Sequence, residues 1–481
     1  MDYEVVIGLE THSELLTESK LWCRCSTRFG RSPNTQTCPV CLGMPGVLPV
    51  LNLHAFELAL RAAVALNARI NRTTFFDRKN YYYPDLPKNY QISQNYCNLG
   101  DDGYLDIQVD GDVRRVGITN VHLEEDAGKN LHVEYPGADY SLVDLNRAGT
   151  PLLEIVSAPD MRSVEEADAY MQTLRQVLLY TRVSDCKMQE GSLRFEASIS
   201  LRPAGSEQLG ARVEIKNLNS MKAVRGSLEY EIRRQTRVLD EGGQVDMETR
   251  LWDEARSRTA RMRSKEEAKD YRYFPEPDLL PVEVTDEMLE RARQAIPELP
   301  QRRRGRFVDE FGLSDYEASI LTDQRETAEY FEQCLAAEAS PKGAANWIMN
   351  EVLREVNERK LSLDRFEIPP ERLAGLVRLI DDGKINANVA RTIMTKMIET
   401  GRDAPTLVKE EGVEQISDQS ELDPVLEQVI RENPQMVQDY LGGKKQVVGP
   451  LVGQVMRLTR GKADPRLANQ LLREKLDHMG G

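Results

Sequence analysis

Up to about residue 280, apolar side chains recur at two spacings. In "EVVIGLETH", "GYLDIQVDGD", "RRVGITNVHLEED", "YSLVDLN", "PLLEIVS", "GSLRFEASISLRP" and "ARVEIKNLNS" they come at or near every second position, between clusters of turn residues. That period predicts short β-strands, each with one buried face. In "HAFELALRAAVALN", "SVEEADAYMQTLRQVLLYTRV" and "SMKAVRGSLEYEIRRQTRVLDEG" the spacing is three or four, which predicts helices. Together they predict an α+β domain built largely on antiparallel strands, over residues 1–293. After "YRYFPEPDLLPVEV" only helical spacing remains, punctuated by Pro and Gly, as in "PKGAANWIMNEVLREVNERK". This predicts an all-α helical domain over 294–405, a boundary near "GRDAPTLVKEEG", and a small α-helical tail domain over 406–481, its last two helices broken at "GKADP". No internal repeat or low-complexity stretch interrupts the pattern.

Charged residues break the apolar strands at telling places. Side chains alternate between the faces of a strand, so Glu10, His12 and Glu14 share one face while Val5, Ile7 and Leu9 take the other. By the same rule His122 aligns with Glu124, opposite Val121 and Leu123, with Glu125 and Asp126 at the strand's end. Glu154 interrupts "PLLEIVS", Arg194 pairs in direction with Glu196, and Glu214 with Lys216. One side of an antiparallel sheet is often merely solvated. Such a face normally mixes Lys, Thr, Ser and Gln, whereas these strands favour Glu, Asp and His. Crowded carboxylates repel unless a cation compensates them, and an Mg²⁺ held by oxygens and an imidazole satisfies that need. No Walker-type G-x-x-x-x-G-K-[ST], G-x-G-x-x-G, H-E-x-x-H or G-x-S-x-G occurs. Spacing alone therefore reaches metal-assisted chemistry on a sheet.

Of seven cysteines in 481 residues, four fall in the nineteen residues from Cys23 to Cys41, as C-x-C, twelve residues, then C-x-x-C. With no signal-type N-terminus and no apolar run approaching the roughly 20 residues that cross a bilayer, the chain is expected to be cytoplasmic. There such a cluster reads as a metal site rather than as disulfides. Cys23, Cys25, Cys38 and Cys41 can converge on one Zn²⁺, and a closed four-sulfur site is structural. The net charge of −15 argues against a protein coated for nucleic acid. From Gly442 onward, however, Lys444, Lys445, Arg457, Arg460, Lys462, Arg466, Arg473 and Lys475 face only Asp464, Glu474 and Asp477. That end is basic.

The segments "VIGLETH", "CPVCLGMPGVLPVLN", "FDRKNYYYPDLPKNYQISQ", "HLEEDAGK", "VDLNRAGTPLLEIVS", "KNLNSMKAV" and "DYRYFPEPDL" resemble, in order and along nearly the whole chain, the GatB family of aspartyl/glutamyl-tRNA amidotransferase B subunits. The resemblance implies a carbon–nitrogen ligase with glutamine as amido donor. ATP would activate the side-chain carboxylate of Glu-tRNA(Gln) or Asp-tRNA(Asn) to an acyl phosphate, which ammonia then displaces. It implies a catalytic cradle in the first domain, with Glu10, His12 and Glu124 holding Mg²⁺ and Glu125 and Glu154 as neighbours. Lys88 resembles the family's tunnel residue beside Glu125, and Arg194 and Lys216 are candidates for binding the nucleotide. The partners implied are a glutaminase A subunit and a small C subunit in a heterotrimer, mischarged tRNA gripped by the basic tail, and a non-discriminating aminoacyl-tRNA synthetase; none is a membrane. The chain departs from the expected "EEGSLRCDANIS" at Gln189, Phe195, Glu196 and Ser198. Glu for Asp lengthens the arm at 196 and leaves its metal role open. Some relatives lack the four cysteines, so zinc is expected to tune stability. The competing readings are a non-catalytic, zinc-containing tRNA-binding scaffold and a self-contained metallohydrolase.

Overall fold

The computed structural model describes residues 2–132, 140–264, 270–413, 419–459 and 462–479. Two compact units divide the chain, Met1–Leu299 and Pro300–Gly481.

The first unit is built on a nine-stranded sheet. From edge to edge its strands are Arg258–Ser264, Glu248–Asp253, Val213–Leu218, Leu193–Pro203, Tyr3–Glu14, Pro151–Ser157, Asp112–Glu125, Gly100–Val109 and Arg69–Ile70. Every neighbouring pair is antiparallel except Val213–Leu218 with Glu248–Asp253. That exception is a strand–helix–strand crossover through the helix Met221–Asp240.

Alternation divides the sheet as the sequence predicts. Ile7, Leu9, Val121, Leu123, Leu153, Ile155, Phe195, Ala197 and Ile215 join one buried cluster with the helices Leu53–Ala65, Val164–Tyr180 and Met221–Asp240. Each helix starts at a side-chain cap that satisfies otherwise orphaned N–H groups. Asn52 accepts from the His54 and Ala55 amides, Ser163 from Glu166 and Ser220 from Ala223. The alanine-rich face of the first helix (Ala55, Ala59, Ala62, Ala63) is wholly buried. The opposite face of the sheet carries the charged residues. Over its end lies a three-stranded sheet, Phe274–Pro275, Asp77–Asn80 and Tyr90–Ser93.

The second unit is helical among its described residues and holds two apolar clusters. One includes Phe307, Phe331, Trp347, Leu373, Ile393, Leu407 and Val408. Leu407 and Val408 lie on the helix Ala404–Glu411, so this cluster continues past residue 405. The other contains Leu422, Leu426, Tyr440, Leu451, Val455, Leu471 and Leu472. The helices Val448–Leu458 and Pro465–Met479 flank the expected break. No helix among the described residues is long and apolar enough to cross a membrane.

Candidate active site and cysteine knuckle

Register builds the polar site. Three central strands pair so that His12 stands beside Glu154, and Glu154 beside His122, with Arg194 on the far side of His12. In the next rows Glu10 pairs with Glu196, and Glu14 and Glu124 both flank Leu152. Residues separated by more than a hundred positions thus share a few ångströms. His12 Nε2 lies 3.5 Å from Glu10 Oε1, 3.4 Å from Glu154 Oε2 and 3.9 Å from Glu124 Oε1. His122 Nε2 lies 3.1 Å from Glu154 Oε2 and 4.0 Å from Glu124 Oε2. Ser93 donates to Glu124 at 3.1 Å.

The electrostatics follow from packing acids and imidazoles away from water. Burial opposes charge on His12, but the hydrogen bond and charge of Glu154, with Glu124 and Glu10, raise its pKa to about 9. Burial also opposes charge on His122; Glu154 and Glu124 outweigh it and raise its pKa. Glu154 is the mirror case: burial favours the neutral acid, yet His122 and His12 hold its pKa well below the usual carboxylate range. Glu10, desolvated and facing Glu154, is pushed up to about 7. Lys79 approaches from the covering sheet; burial works against its charge, but Glu124, Tyr273 and Glu154 raise its pKa.

These residues fit a divalent cation. Two triads, Glu10–His12–Glu154 and His122–Glu124–Glu154, bring their ligand atoms within 4.8 Å of one another. Octahedral Mg²⁺ at about 2.1 Å spaces its ligands about 3 to 4 Å apart, as the His–Glu distances do. His122 Nδ1 is 2.9 Å from Asn120 Oδ1, an acceptor, so Nδ1 carries hydrogen and Nε2 faces the carboxylates.

Glu125 follows Glu124 in sequence but has different partners. It pairs with Lys88 and accepts from the Ile92 amide at 3.0 Å. Asp126 lies 2.8 Å from Arg194 Nη2 and 3.3 Å from Arg147 Nε. Burial raises the Asp126 pKa less than Arg194 and Arg147 lower it, whereas Glu14, buried beside Asp126, rises to about 8. The Arg194 Nε is shielded from solvent and has no hydrogen-bond partner among the described residues. Lys216 pairs with Glu196 and, at 2.9 Å, with Glu214. A cavity of about 300 Å³ opens next to Glu10, lined by Gly8, Ser157, Ser198, Ser200, Leu209 and Arg212 among others.

The four cysteines converge, with their Sγ atoms within 4.8 Å of one another. Cys38 and Cys41 are 3.9 Å apart; tetrahedral zinc with Zn–S of about 2.3 Å separates its sulfurs by about 3.8 Å. The Cys41 thiol is pulled down to about 4 by a hydrogen bond from Cys23, with help from the Cys38 backbone and Lys20.

Sequence reasoning passed over Lys79, Asn120, Arg147 and Ser93. Lys79 lies on a strand whose sequence, "DRKN", has no apolar alternation, and Arg147 sits on a turn ending in Gly149, whose φ is +85°. Of the tail's basic residues, Lys444, Lys445 and Lys475 are paired with Asp439, Asp477, Asp423 and Glu427. Arg457, Lys462 and Arg466 have no described carboxylate at ion-pair distance, and Arg460 lies outside the described residues.

The sequence of the chain matches a known class of protein. Residues 5–290 match the family described as the GatB/GatE catalytic domain, and residues 329–476 the GatB domain. Among proteins similar to the chain, the B subunit of the aspartyl/glutamyl-tRNA(Asn/Gln) amidotransferase of Thermoanaerobacter pseudethanolicus is 53% identical over 476 residues, 99% of this chain and 100% of that one. The proteins of the same name from Carboxydothermus hydrogenoformans and Geotalea uraniireducens are 52% and 51% identical, over 99% of this chain and 99% and 100% of their own. The chain belongs to this family of amidotransferase B subunits, of the carbon–nitrogen ligase class.

Proposed function

We propose that this chain carries the activation and amidation centre of a heterotrimeric, tRNA-dependent amidotransferase acting in the cytoplasm. Its substrates would be ATP and a mischarged Glu-tRNA(Gln) or Asp-tRNA(Asn), with ammonia delivered from a glutaminase A subunit and a small C subunit completing the assembly. The observation that carries this reading is the convergence of Glu10, His12, His122, Glu124 and Glu154 from three strands into two cation-sized triads that share Glu154.

A carboxylate is a poor electrophile. Its oxygen attacks the γ-phosphorus of ATP, ADP leaves, and the acyl phosphate so formed is attacked at carbon by ammonia, which expels phosphate and loses a proton. Glu10, His12 and Glu124, with Glu154 beside them, would hold Mg²⁺, which would supply charge neutralisation for the phosphates. The chain's own residues do the rest. Arg194, whose Nε lacks a partner among the described residues, would hold an anion, and Lys79 adds positive charge beside Glu124 and Glu154. The cavity beside Glu10 offers a floor of small residues on which a nucleoside can lie, with Lys216 one row away. Lys88 and Glu125 form a buried polar pair suited to receive ammonia and take its proton. Zn²⁺, when bound by the four cysteines, would hold the loop's shape, and the open arginines of the tail would meet tRNA phosphates.

The test is reconstitution with A and C partners, each mischarged tRNA, ATP and glutamine. Glu124→Gln is expected to abolish ATP-dependent amidation and leave glutaminase activity intact. Unchanged amidation would favour a non-catalytic tRNA-binding scaffold instead.

A further inference from the structure

Lys20 is wholly buried, an expensive place for an ammonium unless every donor is satisfied and the charge is compensated. Its three N–H groups find three partners: the Gln36 carbonyl at 2.7 Å, the Leu145 carbonyl at 3.2 Å and Cys41 Sγ at 3.6 Å. Carbonyls satisfy donors without balancing charge. The sulfur cluster can do that, since one Zn²⁺ with four thiolates would carry a formal charge of −2.

The same ammonium reaches outward. Leu145 belongs to a segment stapled to the knuckle along its length: the Leu145 amide donates to Asn34 Oδ1 at 2.8 Å, the Gln36 amide to Asn146 Oδ1 at 2.8 Å, and Asn146 Nδ2 to the Ser32 carbonyl at 2.7 Å. Leu21 N donates to the Gly149 carbonyl at 2.8 Å. Between these ties stands Arg147, which binds the Ala127 and Gly128 carbonyls at 3.1 and 3.0 Å and flanks Asp126, the partner of Arg194.

We infer that Lys20 is a positioning residue: the buried cation that locks the four-sulfur cluster to the Leu145–Gly149 loop and so aligns Arg147, Asp126 and Arg194. The knuckle thereby sets the geometry of the anion-binding side of the reaction centre. This rests on the activation centre proposed above and on zinc in the knuckle.

The test compares the wild-type and Lys20→Met heterotrimers. Methionine keeps the length and apolar stem but supplies no charge and no donor. Zinc transfer to a chromogenic chelator should be faster in Lys20→Met by about tenfold or more, the scale on which outer-shell partners of a metal act. Amidation should fall while glutaminase activity holds. Should Lys20→Met fail to assemble, hydrogen exchange on the wild-type complex decides: stripping zinc should speed exchange at the Leu145 and Gly149 amides, bonded to Asn34 and to the Asp126 carbonyl, about tenfold. Equal zinc release from both proteins, or unchanged exchange after stripping, overturns the inference. A wild-type complex that carries no zinc overturns it as well, and leaves the activation centre to be judged separately by Glu124→Gln.

Discussion

The molecule offers two clusters of metal-type ligands, and they are made in opposite ways. The knuckle draws four like ligands from nineteen consecutive residues, closes on itself, and leaves no position for a substrate. The sheet cluster draws unlike ligands, carboxylates and imidazoles, from strands starting at residues 3, 112 and 151. It exists only because the register of three strands sets His12, Glu154 and His122 in one row. A one-residue slip of the central strand would turn Glu154 to the apolar side. A cluster gathered by tertiary structure has the smaller tolerance for error.

That contrast orders the expected effects of breaking each. Glu154→Gln removes the carboxylate shared by both imidazoles, and amidation should fall on the order of 10³-fold, the cost of losing a preorganised electrostatic partner, in single-turnover assays of the complex. Lys88→Met leaves Glu125 buried without its cation and should slow amidation by about 10²-fold with glutaminase activity unchanged, a loss near 3 kcal/mol. Cys38→Ser opens the knuckle. It should release zinc and lower the melting temperature by several degrees, with amidation reduced less than in either sheet variant; a loss as deep as that of Glu154→Gln would erase the distinction between the clusters. Smallest is the tail. Arg457→Gln with Arg466→Gln should weaken tRNA binding a few-fold and flatten its dependence on log salt by about 2 in slope, as two lost phosphate contacts require.

The contrast also explains what could be read from the chain. The knuckle was legible because its ligands are adjacent, and the two faces of each central strand because alternation is a local property. The pairing of His12 with Glu154 is not local, and family resemblance supplied its functional meaning. The hairpin Glu248–Asp253 and Arg258–Ser264 escaped notice because "ETRLWD" and "RTARMRS" are charge-rich sequences with little apolar alternation. What fixes their place is a set of buried Glu231, Glu248 and Thr259 with half-buried Arg250 that spans helix and hairpin. Lys79 was hidden for the same reason: its role depends on a small sheet folding over Glu124.

The most direct measurement is titration of the assembled complex with Mn²⁺, a paramagnetic stand-in for Mg²⁺, by electron paramagnetic resonance, comparing the wild type with a Glu10→Gln, Glu124→Gln double variant. The account predicts a site of one ion per complex whose dissociation constant rises at least tenfold in the variant. Equal affinity and stoichiometry in the two proteins would contradict it.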